Sequence, residues 1–331
     1  MKIGAFIIPT GIGATVGGFA GDASKWARRI AKKCKLLVNP NVVNAACFSG
    51  ITENMLYVEG YTLDEFFRGK WMFKEYNSNK IWVIFDKTIS QEILNVHLNT
   101  INAVKTVYDI DIIGYEITEK EVGVEFFIDN SGASMGNVKN LTTIKNAALK
   151  LLDKGADAIA VVCHFPEEQG DDYANGNGVD PVGGVEAIIS HYISKELKVP
   201  CAHAPAFANI EIESKIVDAR CAAEYITPTF LPCILIGLAQ APLISDMEGI
   251  SVDDVDFLVM PYSALGSIPV LEMNKLKKKI YAIKENNTTL DITPEKFLIK
   301  CDIINTYEEL LEVIWLNKQK ELFHLQKFWL P

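Results

Sequence analysis

Residues 158–163 read Ala-Ile-Ala-Val-Val-Cys, a run with no polar side chain on either parity. Successive side chains of a strand point to opposite faces, so this run demands apolar cover on both. Parallel sheets flanked by helices meet that demand, and amphipathic stretches stand on either side, at about Leu141–Leu152 and Pro181–Leu197. The same alternation recurs along the chain. Strands are expected at Lys2–Ile8, Leu36–Asn39, Leu56–Glu59, Ile81–Asp86, Ile110–Tyr115, Val122–Asp129, Asp157–Cys163, Val199–Ala202, Asp256–Met260 and Lys279–Ile283. Further helices are expected at Asp22–Lys33, capped by Asp22, and at Gln91–Tyr108, Val270–Lys277 and Glu308–Phe328. The fold class is therefore α/β, a doubly wound and mostly parallel sheet with a cleft at the strand carboxyl edge. The 331 residues divide into two lobes, 1–130 and 131–331, or form one continuous domain.

Charge narrows the partner. Thirty-two basic residues stand against 42 acidic ones, a net charge of −10. Nucleic acids and anionic membranes are gripped by clustered Lys and Arg, so neither fits, and a small anionic metabolite is the expected partner. Self-association into a homo-oligomer stays open. The seven cysteines contain no C-x-x-C pair, which reads as reduced thiols in a cytoplasmic protein. The uncharged stretch 225–245 is broken by Pro228, Pro232 and Pro242, which reads as a buried internal segment rather than a membrane span. The short apolar N-terminus lacks the core of a signal peptide.

Four glycine-rich loops follow strands: Thr10–Asp22, Asn130–Asn137, Gly170–Gly184 and Ser263–Ser267. In a parallel sheet they emerge at one edge, where backbone amides and helix N-termini attract negative charge. The substrate contacts expected from them are Thr10, Gly11, Gly13, Gly17, Gly18, Ser131, Gly183, Gly184 and Ser263, with Glu285 and Asn286 reaching in from the far side. Valine at Gly17 or Gly18 should then abolish ligand binding and leave the fold intact. The first loop departs from the dinucleotide fingerprint, with Val16 at a small-residue position and Asn39-Pro40-Asn41 in place of a closing acid. Gly132-Ala133-Ser134-Met135-Gly136 matches G-x-S-x-G, which makes Ser134 a candidate nucleophile, or with Ser131 a hydrogen-bond donor to an anion.

Two of the five histidines directly follow short apolar strands, His164 after Val161–Cys163 and His203 after Pro200–Ala202. Adjacent parallel strands would bring both imidazoles to the loop edge as general acid and base. A divalent metal is the one cofactor suggested, with His164, His203 and Glu167 as ligands. Cys47, Cys163 and Cys201 are alternative nucleophiles, although Cys163 and His164 must face opposite ways.

The segments Ile7–Ala23, Asn39–Ala46, Leu56–Phe66, Cys201–Phe207, Thr229–Pro242 and Ser263–Glu295 resemble the uncharacterised domain-of-unknown-function family 3326 over nearly the full length. The resemblance implies a soluble, enzyme-like protein and carries no activity with it. The residues themselves point to a metabolic enzyme with hydrolase or lyase chemistry on a carbonyl compound, using His203, His164 and Ser134. The alternatives are a nucleotide-using ligase or oxidoreductase, and a non-catalytic metabolite-binding protein.

Overall fold

The structure, a computed structural model, describes residues 1–76, 79–166, 171–208, 212 and 214–314. The chain runs β1 (Ile3–Phe6), α1 (Ser24–Ala31), β2 (Lys35–Val38), β3 (Met55–Tyr57), α2 (Gly60–Phe67), β4 (Ile81–Phe85), α3 (Gln91–Tyr108) and β5 (Ile112–Ile117). It continues through β6 (Val124–Ile128), β7 (Ser134–Val138), α4 (Leu141–Asp153), β8 (Ala158–Phe165), α5 (Gly183–Leu197), β9 (Cys201–Phe207) and α6 (Leu231–Ala239). It closes with β10 (Val255–Pro261), α7 (Ile268–Lys275), β11 (Lys279–Ile283), β12 (Asp302–Ile304) and a helix, α8, at 307–314. The part of the expected closing helix after residue 314 lies outside the described residues.

The α/β class and the parallel strands hold, but the strands are divided between two sheets. A six-stranded parallel sheet has the order β12-β11-β10-β1-β2-β3, and a four-stranded parallel sheet the order β9-β8-β4-β5. The division at residue 130 does not follow this pairing, because β1 lies between β2 and β10. The chain starts in the six-stranded sheet, builds the second sheet, and returns. Val122–Asp129 pairs antiparallel with β7 as a hairpin, which the sequence reading missed.

Strict alternation explains why both sheets are covered on two faces. In the first, Ala5, Leu37, Leu258 and Ala282 face α2 and α7, while Phe6, Val38, Val259 and Ile283 face α1 and α8. In the second, Ile159, Val161 and Cys201 pack with Ile144, Ile189 and Ile193 of α4 and α5. Val83, Val162 and Ala202 face the other way, toward α3 and α6, and share one apolar cluster with the first sheet. Helix α6 is the uncharged stretch, with Leu231–Leu238 all buried between the two sheets as expected. A helix apolar on every side belongs in such a position. No helix among the described residues is long and apolar enough to cross a membrane.

Candidate functional site

The main cavity, of about 140 Å³, opens where the loops after β1 and β2 meet the segments after β8 and β9. The carboxyl edges of both sheets therefore contribute, as ligand sites in parallel sheets generally require. The first glycine loop forms one wall, with Thr10, Gly11, Gly13, Gly17 and Gly18, and Gly183 and His203 lie opposite.

The loop is held rigidly from outside. Val16 donates its amide to Asn286 Oδ1 (3.0 Å), and Asn286 Nδ2 donates to Val16 O (2.9 Å) and to the Tyr307 hydroxyl (2.8 Å). The amides of Thr15, Gly17 and Ala20 go to Asn287 O, Asp22 Oδ1 and Glu224 Oε1. Asp22 thus ties the loop rather than capping α1, and its burial pushes the carboxyl up to about 6. Four amides of the loop are thus committed within the protein, and of the residues expected to contact an anion Gly17 is one of them. Asn39, which stands where a dinucleotide site needs an acid, pairs with both backbone groups of Ile8 and extends the ladder.

Three carboxyls line the cavity, and no Lys or Arg does among the described residues. Asp180 accepts from the Val182 amide (3.0 Å) at the start of α5. Glu224 accepts from the amide of Ala20 (3.0 Å) and the Tyr173 hydroxyl (3.1 Å). Glu186, on the first turn of α5, keeps a buried Oε1 with no hydrogen-bond partner among the described residues. Burial disfavours the charged form of all three. It pushes Glu224 up to about 8, with the Asp180 charge adding to the effect, and raises Asp180 and, further, Glu186.

His203 lines the same cavity as these carboxyls. Its Nδ1 lies 2.8 Å from Ser190 Oγ, which donates to Glu59 Oε2 (3.3 Å). Glu59 Oε1 also accepts from the Tyr57 hydroxyl, whose oxygen in turn accepts from Asn44 Nδ2 (both 3.3 Å). Burial, with His191 nearby, pushes the imidazole down to about 3, so His203 is neutral at ordinary pH. Burial pushes Glu59 up to about 8 against the two hydrogen bonds it accepts.

Several expected residues stand elsewhere. His203 pairs in register with Val161 and His164 with Ala206, so the two imidazoles are three positions apart and project from opposite sheet faces. They cannot share a metal or a reaction. Glu167 lies outside the described residues, and among those described no group of three or more His, Cys, Asp or Glu could hold a metal ion. Ser134 sits in a hairpin strand, not on a strand–helix elbow, and its hydroxyl donates to Pro181 O (2.8 Å) while accepting from the Gly184 amide (3.0 Å). It fastens the hairpin to α5. Ser131 bonds Asp129, Ser263 bonds Thr288, and Glu285 accepts the Tyr307 amide that opens α8. With Asn286 these are scaffold residues that brace the loop or its surroundings. Burial raises the Cys163 and Cys201 thiols well above their ordinary range, so neither is a ready thiolate.

Glu59, Glu186 and Glu224 escaped sequence reading. A signal existed at Glu186, an acid beside Val185 on the apolar stripe that continues through Ile189 and Ile193. Such a residue on a core face needs a partner or a purpose.

Two predictions follow from this geometry. Ser134→Ala should lower stability by about 1 kcal/mol, because it removes the partner of a half-buried amide and a half-buried carbonyl, while leaving any turnover nearly unchanged. Chemical denaturation and a rate measurement check both halves. Glu59 contributes to the pH dependence together with Glu224 and Glu186. Between its ordinary value of 4.5 and about 8 the folded protein holds a proton on Glu59 that the unfolded chain lacks, so its contribution falls as pH rises through that window. His203 acts oppositely between about 3 and 6.5. From 6.5 to 8 the raised carboxyls act in the same direction, so stability should decline there, and Glu59→Gln should make the decline shallower without abolishing it in urea titrations. A slope equal to the wild type's would contradict the assignment.

The model of a family described as a protein of unknown function (DUF3326) matches residues 4–322. An uncharacterized lipoprotein from Synechococcus sp. is 37% identical over 324 residues, spanning 95% of this chain and 89% of the relative. No solved structure matches the chain.

Proposed function

The chain belongs to the DUF3326 family of proteins of unknown function, and we propose that its cavity is the active site of an enzyme doing acid–base chemistry on a small carbonyl compound that bears a carboxylate. One observation carries this reading. A neutral His203, fixed through Ser190 to Glu59, lines the same cavity as Glu224, a carboxyl that burial pushes up to about 8. Groups whose environments push their pKa values apart divide into base and acid. With Ser190 donating to Glu59, the His203 Nδ1–H donates to Ser190, and Nε2 keeps the lone pair that takes a proton from substrate or from water. Glu224 or Glu186 returns a proton to the leaving or enolic oxygen.

The remaining amides of the glycine loop hold the substrate carboxylate. With Ser134 engaged as scaffold and the Cys163 and Cys201 thiols kept protonated, the chemistry is proton transfer without a covalent intermediate. Lyase chemistry fits directly, and hydrolase chemistry fits with water as the nucleophile. Asn39 in place of an acid argues against a nucleotide as co-substrate. Untargeted mass spectrometry of a metabolite extract incubated with the protein tests the reading. Consumption of a carbonyl-containing carboxylate supports it, whereas retention of a compound without conversion favours a non-catalytic binding protein. A cytoplasmic location belongs to the same reading and is supported by seven cysteines of which none forms a disulfide. Cell fractionation checks it, and recovery with membranes would instead match the name lipoprotein given to the relative.

A further inference from the structure

We propose that Glu186 is the receptor for a primary ammonium group, so that the cavity takes a small compound carrying both an amine and a carboxylate. This rests on the cavity being the functional site, as proposed above, and adds the class of compound it takes. Glu186 is 8% exposed and lines the cavity, yet its Oε1 has no hydrogen-bond partner among the described residues. A buried polar atom left unpaired costs about 1–3 kcal/mol, which a ligand donor placed there would offset.

The surroundings define that donor. The neighbouring Asp180 and Glu224 already accept from Val182, Ala20 and Tyr173, and burial disfavours a further uncompensated negative charge at this wall. No basic side chain lines the cavity among the described residues, so nothing in the wall neutralises Glu186. An ammonium supplies one positive charge and three donors from a compact head. A metal ion wants several ligands converging at short distance, and the described residues contain no such group. Burial also keeps Glu186 protonated while the cavity is empty, so an arriving ammonium must displace a proton.

The test uses the full chain and matched probes: alanine, β-alanine and 4-aminobutyrate, each beside its deaminated and its N-acetylated counterpart. Calorimetry should find at least one amino acid bound about tenfold or more tighter than both counterparts, since each factor of ten needs only about 1.4 kcal/mol. In buffers of different ionisation enthalpy near neutral pH, its binding should release about one proton. Glu186→Gln should erase both the preference and the proton release, and His203→Asn should leave both in place. Equal binding of the deaminated or acetylated probes, no binding of any amine, or a preference that survives in Glu186→Gln would overturn the proposal. If the variant fails to fold, the wild-type comparison and proton count still decide. Amine preference without turnover would sink the enzymatic reading while leaving the ammonium site standing.

Discussion

His203→Asn is expected to fold normally and to lose turnover by at least about a hundredfold, the lower range for removing a general acid–base group. Asparagine keeps a polar contact toward Ser190, so the chain through Glu59 and Tyr57 survives. What it removes is the ring nitrogen proposed to exchange protons with the ligand. His164→Asn should be nearly silent, because that side chain belongs to the opposite face of the four-stranded sheet. The pair is diagnostic when both variants are assayed on the compound that the wild type consumes. A His203→Asn enzyme working at the wild-type rate would move the catalytic centre elsewhere in the cavity.

Gly18→Val is expected to cost about 3 kcal/mol of stability, at the upper end for a side chain forced into filled space, and to abolish ligand-induced stabilisation. A Cβ at Gly18 would lie 2.1 Å from the Ala14 carbonyl oxygen, so the loop backbone itself must open. The same change at Gly17 adds a second penalty, since that residue holds φ +86 and a Cβ there would meet Ile8 at 2.3 Å. The expectation of an intact fold in these variants is therefore corrected: the loop is clamped by Asn286, Asn287, Asp22 and Glu224 and has no room to yield. Thermal unfolding with and without an amino-acid probe measures both effects. A valine variant with wild-type stability would contradict this packing.

The parts of this molecule legible in the sequence are those set by local pattern. Continuously apolar runs such as 158–163 identify strands buried on both faces, and the uncharged 225–245 stretch reads as a buried segment, of which Leu231–Ala239 forms a buried helix that the pattern did not announce. His203 was singled out because it follows the apolar run Val199–Ala202, although the strand continues through it to Phe207. Which strands pair was not legible, since periodicity fixes the face of a residue but not its neighbour across the sheet. That gap produced the pairing of His164 with His203, which a register offset of three positions places on opposite faces. It also misplaced Ser263, Glu285 and Asn286. Their loops follow β10 and β11, on the far side of β1 from the second sheet, and so support the glycine loop from behind. Ser134 misled for a different reason: its motif depends on a strand–helix turn, and here the glycines serve a hairpin. Glu59 and Glu224 reach the site through contacts far apart in sequence, such as Ser190 to Glu59 and Ala20 to Glu224, which no local pattern announces.

The central claim is that the cavity presents a neutral imidazole with a free lone pair, and nitrogen-15 NMR of the His203 ring tests it without a known substrate. The account predicts a neutral ring down to about pH 4, protonated at Nδ1 and bare at Nε2, because burial and His191 hold its pKa near 3 and Ser190 accepts from Nδ1. A ring that titrates near its ordinary value of 6.5, or that carries its neutral-state proton on Nε2, would contradict it.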